Sequence, residues 1–182
     1  MNDKWCVRCG RTTPTPYTLK VLEWRRKATL PLRSVLDLGC GNGRNLRAFQ
    51  INGRARRMVG FDLCVKRARS ICRAHICRPV RLCRGTLGHD PLPKGRFDIV
   101  LLNYSLMFLD LLERERVIAD AYDRLTRGGW LVVEMYPARD SECTSDEACE
   151  HVIDQEVFRR GANNFAHMVR RSKNRIIMEK VS

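Results

Sequence analysis

Short apolar blocks alternate with amphipathic stretches along the 182 residues of this chain. Ser34-Val35-Leu36-Asp37-Leu38 is an apolar run of strand length that ends at a glycine cluster, the pattern of a strand buried on both faces. Arg57 to Asp62, Pro79 to Cys83, Phe97 to Leu102 and Trp130 to Met135 repeat the signal. Between these runs, Arg44 to Gln50, Cys64 to Ile76 and Leu111 to Leu125 read as helices. In the second of them Val65, Ala68, Ile71, Cys72 and Ile76 recur at near-helical spacing with arginines between. In the third, Leu111, Ile118, Tyr122 and Leu125 share a face, and Gly128-Gly129 is the expected stop.

A helix from about Thr18 to Lys27 precedes the first strand, and Thr144-Ser145-Asp146-Glu147 has the form of a capping box opening another that runs to about Arg159. Asn164 to Arg171 and Arg175 to Val181 flank Ser172-Lys173-Asn174 and predict an antiparallel hairpin. Strands that alternate with helices in this way build an α/β fold. The expectation is a doubly wound, mostly parallel, seven-stranded sheet ending in that hairpin, with ligands at the carboxyl ends of the strands.

The length suits one domain with one core. Residues 1–33 form an N-terminal segment whose helix, with Tyr17 and Trp24, either packs on the sheet or closes as a lid, and 34–182 form the domain proper. The most apolar stretch, Asp98 to Leu112, is shorter than the ~20 residues of a membrane helix. The N-terminus lacks the basic, apolar and small-residue segments of a secretion signal, so a cytoplasmic protein is expected. Nine cysteines, an odd number scattered over strands and helices, predict reduced thiols. Cys6-Val7-Arg8-Cys9 has the spacing of half a zinc knuckle. Neither Cys72, His75 and Cys77 nor Cys143, Cys149 and His151 repeats that gap, so no metal is expected.

Charge is unevenly distributed. The chain carries a net +14, and Arg44 to Arg84 holds twelve Lys/Arg against the single acid Asp62. Asp110 to Glu156 reverses the balance, with thirteen acids against five basic residues. A basic segment of this kind suits RNA, DNA or a ribonucleoprotein, although solvated surface arginines give the same count.

The candidate chemistry lies where the first strand turns into a helix. Glycines in Asp37-Leu38-Gly39-Cys40-Gly41-Asn42-Gly43 let the backbone approach a ligand, and Asp62, closing the next strand, offers acceptors for two ribose hydroxyls. A dinucleotide fingerprint would need its third glycine at the position of Arg44, which disfavours nicotinamide or flavin. The run Val35 to Gly43 resembles the S-adenosylmethionine (SAM) motif of the Rossmann-like class I methyltransferases, and with Asp62 the resemblance extends over Ser34 to Pro137. It implies SAM as cofactor, with Asp37, Gly39, Cys40, Gly41, Asn42 and Gly43 around its methionine end. It further implies Asp62 on the ribose, Leu63 beside the adenine and Asn103 at the end of the fourth strand. The acid that the family often carries after its third strand is replaced here by Gly85-Thr86-Leu87, so Thr86, Leu87 or a backbone group must serve.

Asn103-Tyr104-Ser105-Leu106-Met107-Phe108-Leu109 stands where the family presents the methyl group to its acceptor, and it lacks the Asn/Asp-Pro-Pro-aromatic run of many nucleobase-amine methyltransferases. With Glu113-Arg114-Glu115-Arg116-Val117 it is similar to the tellurite-resistance methyltransferase group. Met107 and Phe108 are expected in the core. Tyr104, His89 and Glu134 are the titratable groups near the strand ends and the candidates for any catalytic base. Three readings follow from the resemblance and the charge: a methyltransferase acting on nucleic acid or ribonucleoprotein, one acting on a small molecule or oxyanion, and a SAM-binding regulatory protein without turnover.

Overall fold

The computed structural model describes residues 13–52, 55–73, 80–135, 166–172 and 174–181. Its order is α1 (Pro16–Lys27), β1 (Ser34–Leu38), α2 (Arg44–Asn52), β2 (Arg57–Asp62), α3 (Lys66–Arg73), β3 (Val80–Arg84), β4 (Phe97–Asn103), α4 (Leu111–Asp123), β5 (Leu125–Glu134), β6 (Ala166–Ser172) and β7 (Arg175–Lys180). A short 3-10 turn at Leu106–Phe108 precedes α4.

All seven strands join one sheet in the order β3-β2-β1-β4-β5-β7-β6. β3 through β5 are mutually parallel, whereas β7 runs antiparallel to both β5 and β6. The chain leaves β1 toward β2 on one side and returns to β4 on the other. The carboxyl ends of β1 and β4 therefore open a crevice at the point where the order reverses. β1 and β4 are buried along their whole length, which is why their sequences read as unbroken apolar runs.

Alternate residues of each strand feed two cores. On one face Val35, Ile99, Leu101, Val132 and Ile177 pack with Tyr17, Val21 and Leu22 of α1 and with Leu46 and Phe49 of α2. On the other, Leu36, Leu38, Val100, Leu102, Leu131 and Val133 pack with Val117, Ile118, Ala121 and Tyr122 of α4. α1 thus belongs to the core, and its Arg25 is almost wholly buried. The guanidinium donates to the carbonyls of Pro31 and Gly128 at 2.8–3.1 Å and lies 4.8 Å over the Trp130 ring. These contacts offset part of the desolvation that burial imposes on the guanidinium and clamp the helix to β5.

Several expectations are corrected by tertiary context. α4 stops at Arg124, where the chain turns straight into β5, and Gly128 sits inside that strand at φ +69°, near an irregularity in its pairing with β4. Leu111 is exposed, unlike Ile118, Tyr122 and Leu125, because it belongs to the first turn of α4, capped by Asp110 and Glu113 and lying beyond the sheet edge. Phe108 is also exposed, because the 3-10 turn buries Leu106 instead. Cys64 is disulfide-bonded, contrary to the expectation of reduced thiols, because pairing is set by tertiary proximity and an odd, scattered count does not exclude it. The helix expected from Thr144 and the zinc candidates Cys6, Cys9, His75, Cys77, Cys143, Cys149 and His151 lie outside the described residues. Among the described residues no helix is long and apolar enough to cross a membrane, and no group of metal-binding side chains occurs.

Candidate functional site

Gly39, Gly41 and Gly43 carry φ values of +76°, +54° and +77°, so the loop after β1 is built from left-handed residues that only glycine adopts freely. The amides of Gly39 and Cys40 both donate to the Phe61 carbonyl, at 2.8 and 3.1 Å, and tie the loop to the end of β2. A Cβ on Gly39 would stand 2.5 Å from the Ser105 Cβ, which shows how closely the loop approaches the exit of β4. Asp62 holds the same loop from the other side. Its Oδ2 accepts from the Gly41 amide and its Oδ1 from the Cys64 amide, both at 2.8 Å. Each oxygen keeps a lone pair. Leu63, next in the chain, is exposed. Cys40 is a buried free thiol, and Asn42 is a buried side chain whose Oδ1 accepts from the Arg44 amide.

The strand periodicity places a polar row above the α1-side core. Asp37 lies two residues after Val35, Asn103 two after Leu101, Glu134 two after Val132, and Arg175 two before Ile177, so all four share that face at the carboxyl edge. Asn103 pairs in register with Glu134, and Glu134 with Arg175. Glu134 is fully buried and its Oε1 accepts from the Arg175 Nε at 2.9 Å, while the Arg175 guanidinium lies 5.1 Å over the Tyr17 ring. The Asn103 Nδ2 donates to the Thr18 Oγ1 at 3.0 Å, under the first turn of α1.

Three acceptors in this row, Asp37 Oδ2, Asn103 Oδ1 and Glu134 Oε2, are buried and accept no hydrogen bond among the described residues, and the same holds for the Ser105 Oγ. Each such group costs about 1–3 kcal/mol if nothing donates to it. Burial raises the Asp37 carboxyl to about 7, the nearby Asp62 adds to the rise, and Arg44 opposes it. The crevice between β1 and β4 therefore asks for a ligand with N–H donors and positive charge.

Tyr104 has φ +59°, a strained value for a residue with a side chain, and its amide donates to the Glu134 carbonyl at 2.6 Å. It stands at the β4 exit beside the row. His89 does not join it: the ring is exposed and its Nε2 lies 3.3 Å from the Glu113 Oε1 on the rim. The Thr86 amide donates to the Asp90 Oδ2 at 2.7 Å, and Leu87 packs against the α4-side core. Asp90 supplies an acid in the loop after β3. Its separation of four residues from Thr86 was the available signal. Thr18 and Arg175 escaped sequence reasoning because only folding carries them to the crevice, and Ser105, inside the segment placed there, was not singled out because a lone serine carries no motif.

A family model described as a methyltransferase domain matches residues 35–129, a little over half of the chain. A carboxy-S-adenosyl-L-methionine synthase from Helicobacter hepaticus is 32% identical over 121 residues, covering 64% of this chain and 47% of that protein. The chain thus spans about half the length of the curated relative it matches. Among solved structures, SAM-bound CalS10, an amino pentose methyltransferase from Micromonospora echinaspora, is 26% identical with a TM-score of 0.56, covering 74% of this chain and 55% of that one. A SAM-dependent methyltransferase from Clostridium acetobutylicum shares the fold at 13% identity, with a TM-score of 0.67 and 91% of each chain covered. A TehB-like SAM-dependent methyltransferase from Corynebacterium glutamicum does so at 19% identity, with a TM-score of 0.61, 88% of this chain and 86% of that one covered.

Proposed function

The chain belongs to the methyltransferase domain family, and from that premise we propose that it transfers a methyl group from SAM to an acceptor whose anionic group is received by Arg175. SAM is the cofactor that goes with the family, and the site fits it. Asp37 Oδ2 and Asn103 Oδ1 are unmet acceptors suited to the ammonium of its methionine end. Asp62 has lone pairs left for ribose hydroxyls, and Leu63 offers apolar surface beside them. Bound SAM supplies an electrophilic methyl on a sulfonium, which moves by direct displacement, so alignment of the acceptor provides most of the catalysis.

Arg175 carries the acceptor assignment. Its Nε is fixed by the buried Glu134 and its plane by the Tyr17 ring, while its terminal nitrogens make no hydrogen bond among the described residues. A guanidinium held in one orientation with its fork unused is preorganised for a carboxylate or phosphate. Glu134 acts here as a positioning residue, since its carboxylate already serves Arg175 and has no exposed surface. Tyr104, at the β4 exit, is the titratable side chain next to that position.

The test is methyl transfer from labelled SAM into pools of acidic metabolites and of total RNA. Arg175→Gln is expected to reduce transfer at least tenfold, about 1.4 kcal/mol, with SAM affinity by calorimetry within twofold of the parent. Equal turnover by Arg175→Gln, or transfer confined to acceptors without an anionic group, would overturn the assignment. A second measurement addresses the cofactor. Asp62→Ala is expected to weaken SAM binding by about 1.5–3 kcal/mol, since it removes hydrogen bonds to a charged acceptor and releases the Gly41 amide.

A further inference from the structure

Cations line the carboxyl edge of the sheet on both sides of the β4 exit. On one side stand Arg84 at the end of β3, Lys66 and Arg69 on α3, and Arg44 at the start of α2. On the other side stands Arg175 at the start of β7. Arg84 is in register with Asp62, so it borders the ribose end of the crevice. Lys66, Arg69 and Arg84 are exposed, and none of these five residues apart from Arg175 forms an ion pair among the described residues.

Two of these positions break a local rule. The first turns of α2 and α3 contain no acid and instead begin with Arg44 and with Lys66-Arg67, at the positive end of each helix dipole. Each such placement costs about 0.3–1 kcal/mol. α4 of the same chain obeys the rule with a full Asp110/Glu113 capping box. Arg44 and Lys66, kept against local preference and without an ion pair among the described residues, mark a functional surface.

The row is long. From β3 to β7 the sheet spans five strand spacings, about 24 Å at roughly 4.8 Å each. A small anion would meet one or two of these groups. A polymer with regularly spaced charges meets them all, and four of the five are arginines, whose planar fork suits phosphate. The β4 exit, where an acceptor must arrive, lies between the two groups of cations.

We propose that a single strand of nucleic acid lies along this edge, its phosphates on Arg84, Lys66, Arg69, Arg44 and Arg175, and presents one nucleotide at the β4 exit as the methyl acceptor. The proposal rests on the methyltransferase reading above and names its substrate class. A base inside a duplex cannot reach a crevice between strand ends, so the strand is unpaired there. Phe108 is exposed in the turn after β4 and offers a face for a base near the exit, while the cations read the backbone without regard to sequence. In the transfer, a nucleotide atom forms its bond to the methyl carbon as the carbon–sulfur bond breaks. That electron pair stays on sulfur, and the acceptor's proton leaves to water.

The test is fluorescence anisotropy of a labelled 20-nucleotide mixed-sequence RNA and its DNA counterpart from 25 to 200 mM salt, with the matched duplex as comparison. The expected slope of log affinity against log salt is roughly −3.5, from five phosphate contacts at about 0.7 each. Lys66→Gln/Arg69→Gln/Arg84→Gln is expected to flatten it by about two units. SAM binding by calorimetry is read in parallel on both proteins. If neither protein binds SAM, the methyltransferase reading fails. If SAM binds but neither oligonucleotide is retained at 25 mM salt, or the triple variant binds RNA like the parent, the strand proposal alone fails. Stronger retention on phosphatidylserine vesicles than on RNA, with the same dependence on the three cations, would overturn it in favour of a membrane surface. Label appearing in the single strand and not in the duplex supports it; label in neither overturns the acceptor assignment.

Discussion

Gly39→Val is expected to weaken SAM binding by at least about 100-fold, near 3 kcal/mol, and to lower the melting temperature by several degrees. Two separate costs add. The backbone at φ +76° is one that a β-branched residue adopts only under strain of about 1–3 kcal/mol. The new Cβ would also meet the Ser105 Cβ at 2.5 Å, a short side chain fixed to its own backbone that cannot swing aside. Either the loop or the β4 exit must move, and the cofactor lies between them. Ser105→Gly in the same chain removes the collision and leaves the backbone strain, so the double variant is expected to recover part of the affinity. Gly128→Ala is the control: at φ +69° with nothing within 4 Å of its Cβ, it should carry strain alone and bind SAM as the parent does. Calorimetry and thermal melts of the four proteins decide the matter. A Gly39→Val protein with parental affinity would show that the loop does not cradle the ligand.

The second large effect is a pH dependence centred on Asp37, whose carboxyl burial raises to about 7. In the ligand-free protein the folded state holds this proton up to about pH 7, whereas the unfolded chain releases it near its ordinary value of 3.8. Between those values the native state binds more protons than the unfolded one. Stability therefore falls as pH rises through that window and levels off above 7, by up to about 4 kcal/mol in all. SAM reverses the preference, because its ammonium favours the ionised carboxylate. Affinity is expected to rise about tenfold from pH 6 to pH 8, and the thermal stabilisation by SAM to grow with it. Asp37→Asn should be more stable than the parent without ligand above pH 7, bind SAM more weakly, and lose most of the pH dependence. A parent whose SAM affinity is flat from pH 6 to 8 would show that Asp37 does not meet the ammonium.

The two effects expose a division of labour in the site. Gly39 contributes space and Asp37 a charge that the empty fold holds at a cost. Natural cores seldom bury an unpaired carboxylate, and the three unmet acceptors of the polar row are the clearest sign that the crevice is made for a ligand.

What the sequence determined alone follows from local physics. Apolar runs of strand length bounded by glycines and acids favour buried strands over helices, so β1, β2 and β4 were legible almost to the residue. The glycine loop was legible because left-handed backbone demands glycine, and Asp62 because an acid closing a strand beside such a loop has few other uses. The hairpin of β6 and β7 showed itself through alternation around Ser172-Lys173-Asn174. The start of β5 did not. Its first residues are polar and contain two glycines, and only pairing with β4 makes them a strand. Phe108 and Leu111 looked like core residues because composition cannot say where a helix leaves the sheet. Asp37, Asn103 and Glu134 were legible one by one, but their assembly into a row with Arg175 was not: the four are scattered over 139 positions and meet only because β1, β4, β5 and β7 are neighbours in the sheet. Strand order is set by long-range packing and by the handedness of crossovers, neither of which leaves a local mark. The sequence therefore specified the glycine loop and the acids at the strand ends, whereas the tertiary structure decided which of them share one face with the Glu134–Arg175 pair.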